Sequence, residues 1–254
     1  MTEARALAVG LLCEIEDACA QHRISCHGGH AILDSRHRLL WDANHVRVER
    51  STDLDPNLLI DAAEQHLGGE RFRMITALHE ESAEQLHDPL AARGYGTKHR
   101  RLMVLDAPPP EPDPRVDVQW VNHGEIERSR YATLTEHPEQ PPEVARQLIS
   151  RDLLVSTVVR ERAFAVFDGG ELVARCQLLG DAPLVQLEHV FTRAAHRRRG
   201  YARALVSHAA RAAVAGGTAE LFLLADADGW IGDFCASLGF ADAGLMPRFL
   251  RLAG

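Results

Sequence analysis

The chain has 254 residues, 46% of them hydrophobic and 25% charged, with a formal net charge of −8 at pH 7. That is ample material for a soluble core, and the excess of carboxylates excludes a general polyanion binder, because non-specific nucleic-acid affinity comes from Lys and Arg neutralising phosphates. The five cysteines form no C-x-x-C pair, which reads as the reduced thiols of a cytoplasmic protein.

In chain order, the opening MTEARALAVGLLCEIEDACA is broken early by Glu14, Glu16 and Asp17. It is therefore read as neither a signal peptide nor a membrane span; Leu7, Leu11, Leu12 and Ile15 predict a first helix instead. Residues 26–30, CHGGH, have metal-ligand types, but a Gly-Gly loop without a second ligand pair predicts no metal. LLWDANHVRV (39–48) and RFRMITAL (71–78) read as strands, EESAEQLHDPLAARGY as a helix and HRRLMVL as a strand. The segment DAPPPEPDP (106–114) carries five prolines and cannot hold a helix or a central strand. It predicts a stiff linker between a unit at 1–105 and another at 115–254.

Beyond it, VDVQWV (116–121) alternates like a strand, and GEIERSRYATL and PPEVARQLISRDLL read as helices. Residues 162–179 are two apolar runs joined by Asp168-Gly169-Gly170, a hairpin signal. PLVQLEHVFT (183–192) is a strand, Arg197 to Val214 a helix closed by Gly216-Gly217, AELFLLAD (219–226) a buried strand and WIGDFCASLGF a short helix. Strand, basic turn, helix, strand implies a parallel pair, whereas the hairpin is antiparallel, so the class is α/β with a mixed (α+β) sheet. LAARGY (90–95) and CASLGF (235–240) share an apolar residue, a glycine and an aromatic at an offset of 145 positions, which suggests a divergent tandem repeat.

The chemistry concentrates at HRRRGYARAL (196–205). A helix start offers unpaired N–H groups and the positive end of the dipole, Gly200 leaves room for a ligand against the backbone, and arginines add bidentate donors; together these suit a phosphate. Four arginines in seven residues, with no nucleic-acid-binding pattern nearby, do not make a nucleic-acid patch. VFTRAAHRRRGYARAL resembles the acetyl-CoA motif R/Q-x-x-G-x-G/A of the GNAT superfamily of N-acetyltransferases, on Arg197, Gly200 and Ala202, and the element order over 116–254 fits as well. The resemblance implies a GNAT fold in which Val190, Phe191 and Thr192 bind the pantetheine arm and Arg197, Arg198, Arg199, Gly200, Tyr201 and Ala202 the pyrophosphate. A backbone N–H of Val190 or Phe191 would serve as oxyanion donor.

The implied reaction moves an acetyl group from acetyl-CoA to a primary amine by direct attack. It needs a base, and Glu188, within an apolar strand and on the face of Val190 and Thr192, is the candidate; a structural glutamate is the other reading. His189 is expected to point to the opposite face as packing. Cys235 stands where similar enzymes often carry an acidic tyrosine; it reads either as a proton donor to the leaving thiolate or as a packed small hydrophobe. Asp228 replaces a common asparagine that bonds pantetheine. Glu136 and His137 read as an acceptor-shaping segment or as a surface loop. The N-terminal half lacks R-x-x-G-x-A, so a degenerate, non-catalytic GNAT-like unit that covers the cleft is expected there. The expected partner is a small-molecule or peptide amine, with no nucleic acid and no membrane, acted on by a monomer or homodimer. An acyl-CoA-binding sensor without efficient turnover is the alternative.

Overall fold

The computed structural model describes residues 2–135 and 141–252. The elements are α1 (Glu3–Cys19), β1 (His22–Cys26), β2 (Gly29–Leu33), β3 (His45–Val48), α2 (Pro56–Leu67), β4 (Phe72–Ala77), α3 (Glu80–Ala91) and β5 (Gly96–Leu105). They are followed by β6 (Val118–Val121), α4 (His123–Thr135), α5 (Pro142–Val158), β7 (Glu161–Asp168), β8 (Glu171–Asp181), β9 (Leu184–Thr192), α6 (Tyr201–Ala215), β10 (Glu220–Asp226), α7 (Ile231–Ala236) and β11 (Phe240–Leu252). Local chemistry sets many boundaries. Thr2 caps α1, Asp55 caps α2 with Pro56 at the first turn, and Gly216 closes the alanine-rich α6. Gly169 and Gly170 take positive φ in the β7–β8 turn, as a tight hairpin requires.

All strands join one sheet in the order β1-β2-β3-β4-β11-β5-β10-β9-β8-β7-β6. Apart from β6, this order reads the same from both ends when each strand of the first half is exchanged for its counterpart in the second. The symmetry extends to pairing, since β3–β4 and β9–β10 are the parallel pairs and their neighbours are antiparallel. The last strands are exchanged: β11 of the second half lies against β4 of the first, and β5 of the first lies between β10 and β11. The sequence repeat falls on matching points, Gly94–Tyr95 opening β5 and Gly239–Phe240 opening β11.

The cores follow this exchange. One packs α6 and α7 on β8, β9 and β10, around Leu187, Leu205 and Phe240. A second packs α2 and α3 on β3 and β4, and includes Phe249 of β11. A third places Ala8 and Val9 of α1 against Leu102, Phe222 and Met246. Among the described residues, no helix is long and apolar enough to cross a membrane. The β1–β2 hairpin, α2 and β11 are additions to the elements expected from the sequence.

Candidate active site

The basic turn leads into α6 with a different start from the one expected. The helix begins at Tyr201, not Arg197, because Arg198 (φ 64°) and Gly200 (φ 84°) both take left-handed backbone. The arginines therefore stand in the loop just ahead of the positive end of α6 rather than within its first turn, where an anion is favoured. Arg197 Nε donates to the Thr192 carbonyl at 3.2 Å, and Arg199 pairs with Asp168 of the β7–β8 hairpin at 3.1 Å. Ala204 N–H donates to Gly200 O at 3.0 Å, which leaves the preceding N–H groups of the first turn at the open, positive end of α6. A Cβ built on Gly200 meets nothing within 4 Å, so a ligand can approach its backbone closely. The Thr192 hydroxyl is buried with no hydrogen-bond partner among the described residues.

Next to this turn the sheet opens. β9 and β10 pair in parallel from Leu184–Glu220 to Leu187–Leu223, but both continue, β9 to Thr192 and β10 to Asp226, without further pairing to each other. Beyond the fork β10 keeps its other neighbour β5 through Asp226–Arg100. The result is a wedge with Glu188 to Thr192 on one side. Within it β9 bulges: Gln177 of β8 faces Glu188 and Arg175 faces Phe191, so Cys176 alone opposes His189 and Val190. His189 takes φ 55°, unusual for a non-glycine residue. The expected alternation of Glu188, Val190 and Thr192 on one face is therefore broken. His189 does not turn away; it lines the same cavity as Glu188.

That cavity has a volume of about 570 Å³ and lies between the two halves. The second half contributes Arg130, Asp152, Glu161, Gln177, Glu188 and His189; the first contributes Glu16, Trp41, Asp42 and Arg100, and Arg248 comes from the exchanged β11. Charges alternate in sign: Arg130 meets Asp152 at 2.6 Å, Arg248 meets Asp42 at 2.7 Å, and Arg100 lies 3.9 Å from Glu188. Burial raises the Glu188 carboxyl above the ordinary carboxylate range despite Arg100 and Arg130. Burial, aided by the charges of Glu188 and Glu161, lifts Asp152 to about 6. Burial and three arginines, Arg130, Arg175 and Arg100, hold His189 well below its usual value, so its ring is neutral at neutral pH. Arg175 is 4% exposed, bonds Ser129 and Thr133 at 3.1 Å and stacks 4.3 Å from the Phe191 ring; burial draws it down to about 9.

The remaining sequence candidates are placed unevenly. Val190 is exposed on the wedge, and Asp228 is exposed in the loop between β10 and α7. Cys235 is 5% exposed among the apolar residues of the α6–α7 core, is not among the cavity-lining residues, and burial pushes its thiol up to about 11. Its setting is that of the packed small hydrophobe, because α7 turns it towards Leu238 and Phe240. Cys26 and Gly29 pair across the β1–β2 turn, and no group of three or more His, Cys, Asp or Glu placed to hold a metal occurs among the described residues. Glu136 and His137 lie outside the described residues. Asp152, Arg130, Gln177 and the first-half residues of the cavity escaped the sequence reading. Arg130 and Asp152 have like-charged neighbours along the same helices, so nothing in the sequence singles them out.

Residues 125–239 match the family model described as the acetyltransferase (GNAT) family. Among solved structures, a conserved protein of unknown function from Staphylococcus epidermidis ATCC 12228 aligns with a TM-score of 0.71 at 14% identity, over 92% of this chain and 94% of that one. A GCN5-related N-acetyltransferase from Kribbella flavida aligns at 0.66 and 14%, over 100% and 97%. A tandem GNAT protein from the clavulanic acid biosynthesis pathway aligns at 0.54 and 14%, over 78% and 69%. No curated protein matches the chain. The forked parallel pair and the basic turn both fall within residues 125–239, the stretch that matches the GNAT acetyltransferase family model.

Proposed function

We propose that the protein transfers an acetyl group from acetyl-CoA to a primary amine by direct attack. The observation that carries the reading is the meeting of two features at one strand: the fork of β9 and β10 opens towards the basic turn at one end and the cavity holding Glu188 at the other. The pyrophosphate would lie on the first turn of α6, with Gly200 and Ala202 admitting it and Arg197, Arg198 and Arg199 adding charge. Pantetheine would follow Val190, Phe191 and Thr192, whose orphaned hydroxyl is a ready donor, with Tyr201 and Asp228 flanking. A backbone N–H at Val190 or Phe191 would hold the thioester oxygen as charge develops. Glu188, its carboxyl raised by burial, is suited to accept the proton of an attacking amine. The thiolate leaves without a dedicated acid, since Cys235 is packed away.

In this reading residues 1–105 are a degenerate GNAT-like unit, 106–114 the linker and 115–254 the acetyl-CoA unit, in a cytoplasmic monomer or homodimer. The first unit closes one side of the acceptor cavity. The buried Cys235 also favours a second reading, an acyl-CoA sensor. CoA thiol release from acetyl-CoA, measured over a panel of primary amines, separates the two. Turnover that falls about 100-fold or more in Glu188→Gln supports the transferase. Acetyl-CoA binding without turnover in the wild type supports the sensor.

A further inference from the structure

His189 is the group in the cavity that the acyl-transfer reading leaves without a task, and its surroundings fix which ring nitrogen carries the proton. Glu161 is engaged on both oxygens, Oε2 by His123 Nδ1 at 2.8 Å and Oε1 by Gln177 Nε2 at 2.9 Å. An ionised carboxylate only accepts, so Gln177 presents its amide N–H to Glu161 and its carbonyl Oε1 to His189. His189 Nδ1 lies 2.5 Å from that oxygen and must donate to it. In the neutral ring the lone pair is then on Nε2, which lies 3.8 Å from Asp152 Oδ1, beyond hydrogen-bond distance. The β9 bulge and its left-handed backbone at His189 put this nitrogen on the cavity next to Glu188.

We propose that His189 Nε2 is a proton acceptor for the acceptor amine, with Gln177 and Glu161 as the positioning residues that hold its tautomer; the proposal rests on the acyl-transfer reading of this site. Glu188 takes the proton by which the ammonium form of the substrate becomes the free amine. As that nitrogen then bonds to the thioester carbon and the C–S bond breaks, its surplus N–H proton passes to Nε2 and the electron pair leaves on the CoA sulfur. The imidazolium then gives its proton to water and the thiolate takes one from water, so the products are the amide and the CoA thiol. The groups facing the ring come from six elements: Arg100 on β5, Arg130 on α4, Asp152 on α5, Glu161 on β7, Arg175 on β8 and Glu188 on β9. The three arginines keep the imidazole neutral and able to accept, and Asp152 and Glu188 offset the charge it gains.

The test begins with full-length protein carrying ¹⁵N-histidine. Long-range ¹⁵N–¹H spectra at neutral pH are expected to show His189 protonated on Nδ1, with the Nε2 resonance moving when butylamine is added in the presence of CoA. An Nε2–H tautomer, or an Nε2 signal indifferent to the amine, overturns the proposal. Gln177→Met is expected to release the ring into a mixture of tautomers; an unchanged tautomer overturns the positioning role. His189→Asn tolerates the left-handed backbone and keeps an N–H directed at Gln177, but has nothing at the Nε2 position. Its CoA release is expected to fall about 100-fold or more, with acetyl-CoA affinity by calorimetry within about twofold; activity within about threefold of wild type overturns the proposal. If the wild type releases no CoA with any amine, the acyl-transfer reading fails, and the tautomer and amine titration still decide the state and contact of His189.

Discussion

The exchange of β5 and β11 makes a direct prediction about the isolated second half. A fragment of residues 115–254 keeps the family-matched segment, but loses β5, which pairs with β10 from Phe222–Val104 to Asp226–Arg100 and with β11 from Phe240–Leu105 to Leu250–Gly96. It also uncovers Phe222, Met246 and Phe249, which are 0%, 7% and 1% exposed in the whole chain and pack against first-half residues. Three large apolar side chains at about 1.5–3 kcal/mol each amount to about 5–9 kcal/mol. A domain of this kind has a total stability of about 5–15 kcal/mol, so the loss is comparable to the whole, before the one unpaired edge of β10 and the two of β11 are considered. The fragment is expected to aggregate, or to form a dimer by pairing through the vacant β5 position. Light scattering after size exclusion and urea unfolding followed by circular dichroism would show this. Co-expressed fragments 1–112 and 113–254 are expected to co-purify and melt as one unit. A monomeric 115–254 fragment with a cooperative transition would refute the reasoning.

Two other perturbations separate stability from binding. Gly200→Val places a β-branched residue at φ 84° with no clash, so its stability cost is limited to about 1–2 kcal/mol of backbone strain and a fall in Tm of about 2–8 °C. Its affinity for acetyl-CoA by calorimetry is expected to drop by about tenfold or more, about 1.4 kcal/mol, and unchanged affinity would remove Gly200 from the phosphate site. Asp152→Asn tests the raised carboxyl. Because Asp152 titrates near 6 when folded and 3.8 is its ordinary value, its burial costs nothing below both values, grows between them and reaches about 3 kcal/mol above 6. The amide carries no such cost, so the Tm of the variant minus that of the wild type is expected to rise from pH 4 to pH 6 and level off above it; a flat or falling difference contradicts the assignment.

The basic turn and the element order were legible because they depend on local spacing. R-x-x-G-x-A at 197–202 marks a helix start, and Asp168-Gly169-Gly170 marks a hairpin. What stayed hidden is non-local. Nothing in FADAGLMPRFLRL announces a strand that crosses to the other half, since Gly244 and Pro247 lie inside it and its apolar residues answer to neighbours far away in sequence. The bulge at His189 was equally invisible, because it occurs at a residue with no turn preference and is set by the register of β8. Hence the shared face expected for Glu188, Val190 and Thr192 is broken, and His189 lines the same cavity as Glu188. The cavity between the halves is non-local too, as Arg100 on β5 and Arg248 on β11 reach it only through the exchanged sheet.

The two halves differ locally at two equivalent places. In the second half, β9 and β10 part after Leu187–Leu223, and the helix that follows β9 begins at a glycine with no side chain. In the first half, β3 and β4 stay paired to their last residues, Val48 and Ala77, and Leu78 N–H continues the ladder to Val48 O at 3.1 Å. No wedge is left there for an extended ligand. The helix after β3 begins with Asp55, whose carboxylate accepts from Asn57 N–H at 2.9 Å, so the positive end of α2 already holds an anion of its own. An incoming pyrophosphate would meet that carboxylate and no adjacent arginine run. The first half presents its edge to the second. Through β5 and the loop carrying Trp41 and Asp42 it supplies Arg100 and one wall of the cavity, and it lodges β11 so that Arg248 meets Asp42. The strand exchange that pairs β5 with β10 and β11 thus also brings Arg100 and Arg248 to the cavity beside Glu188.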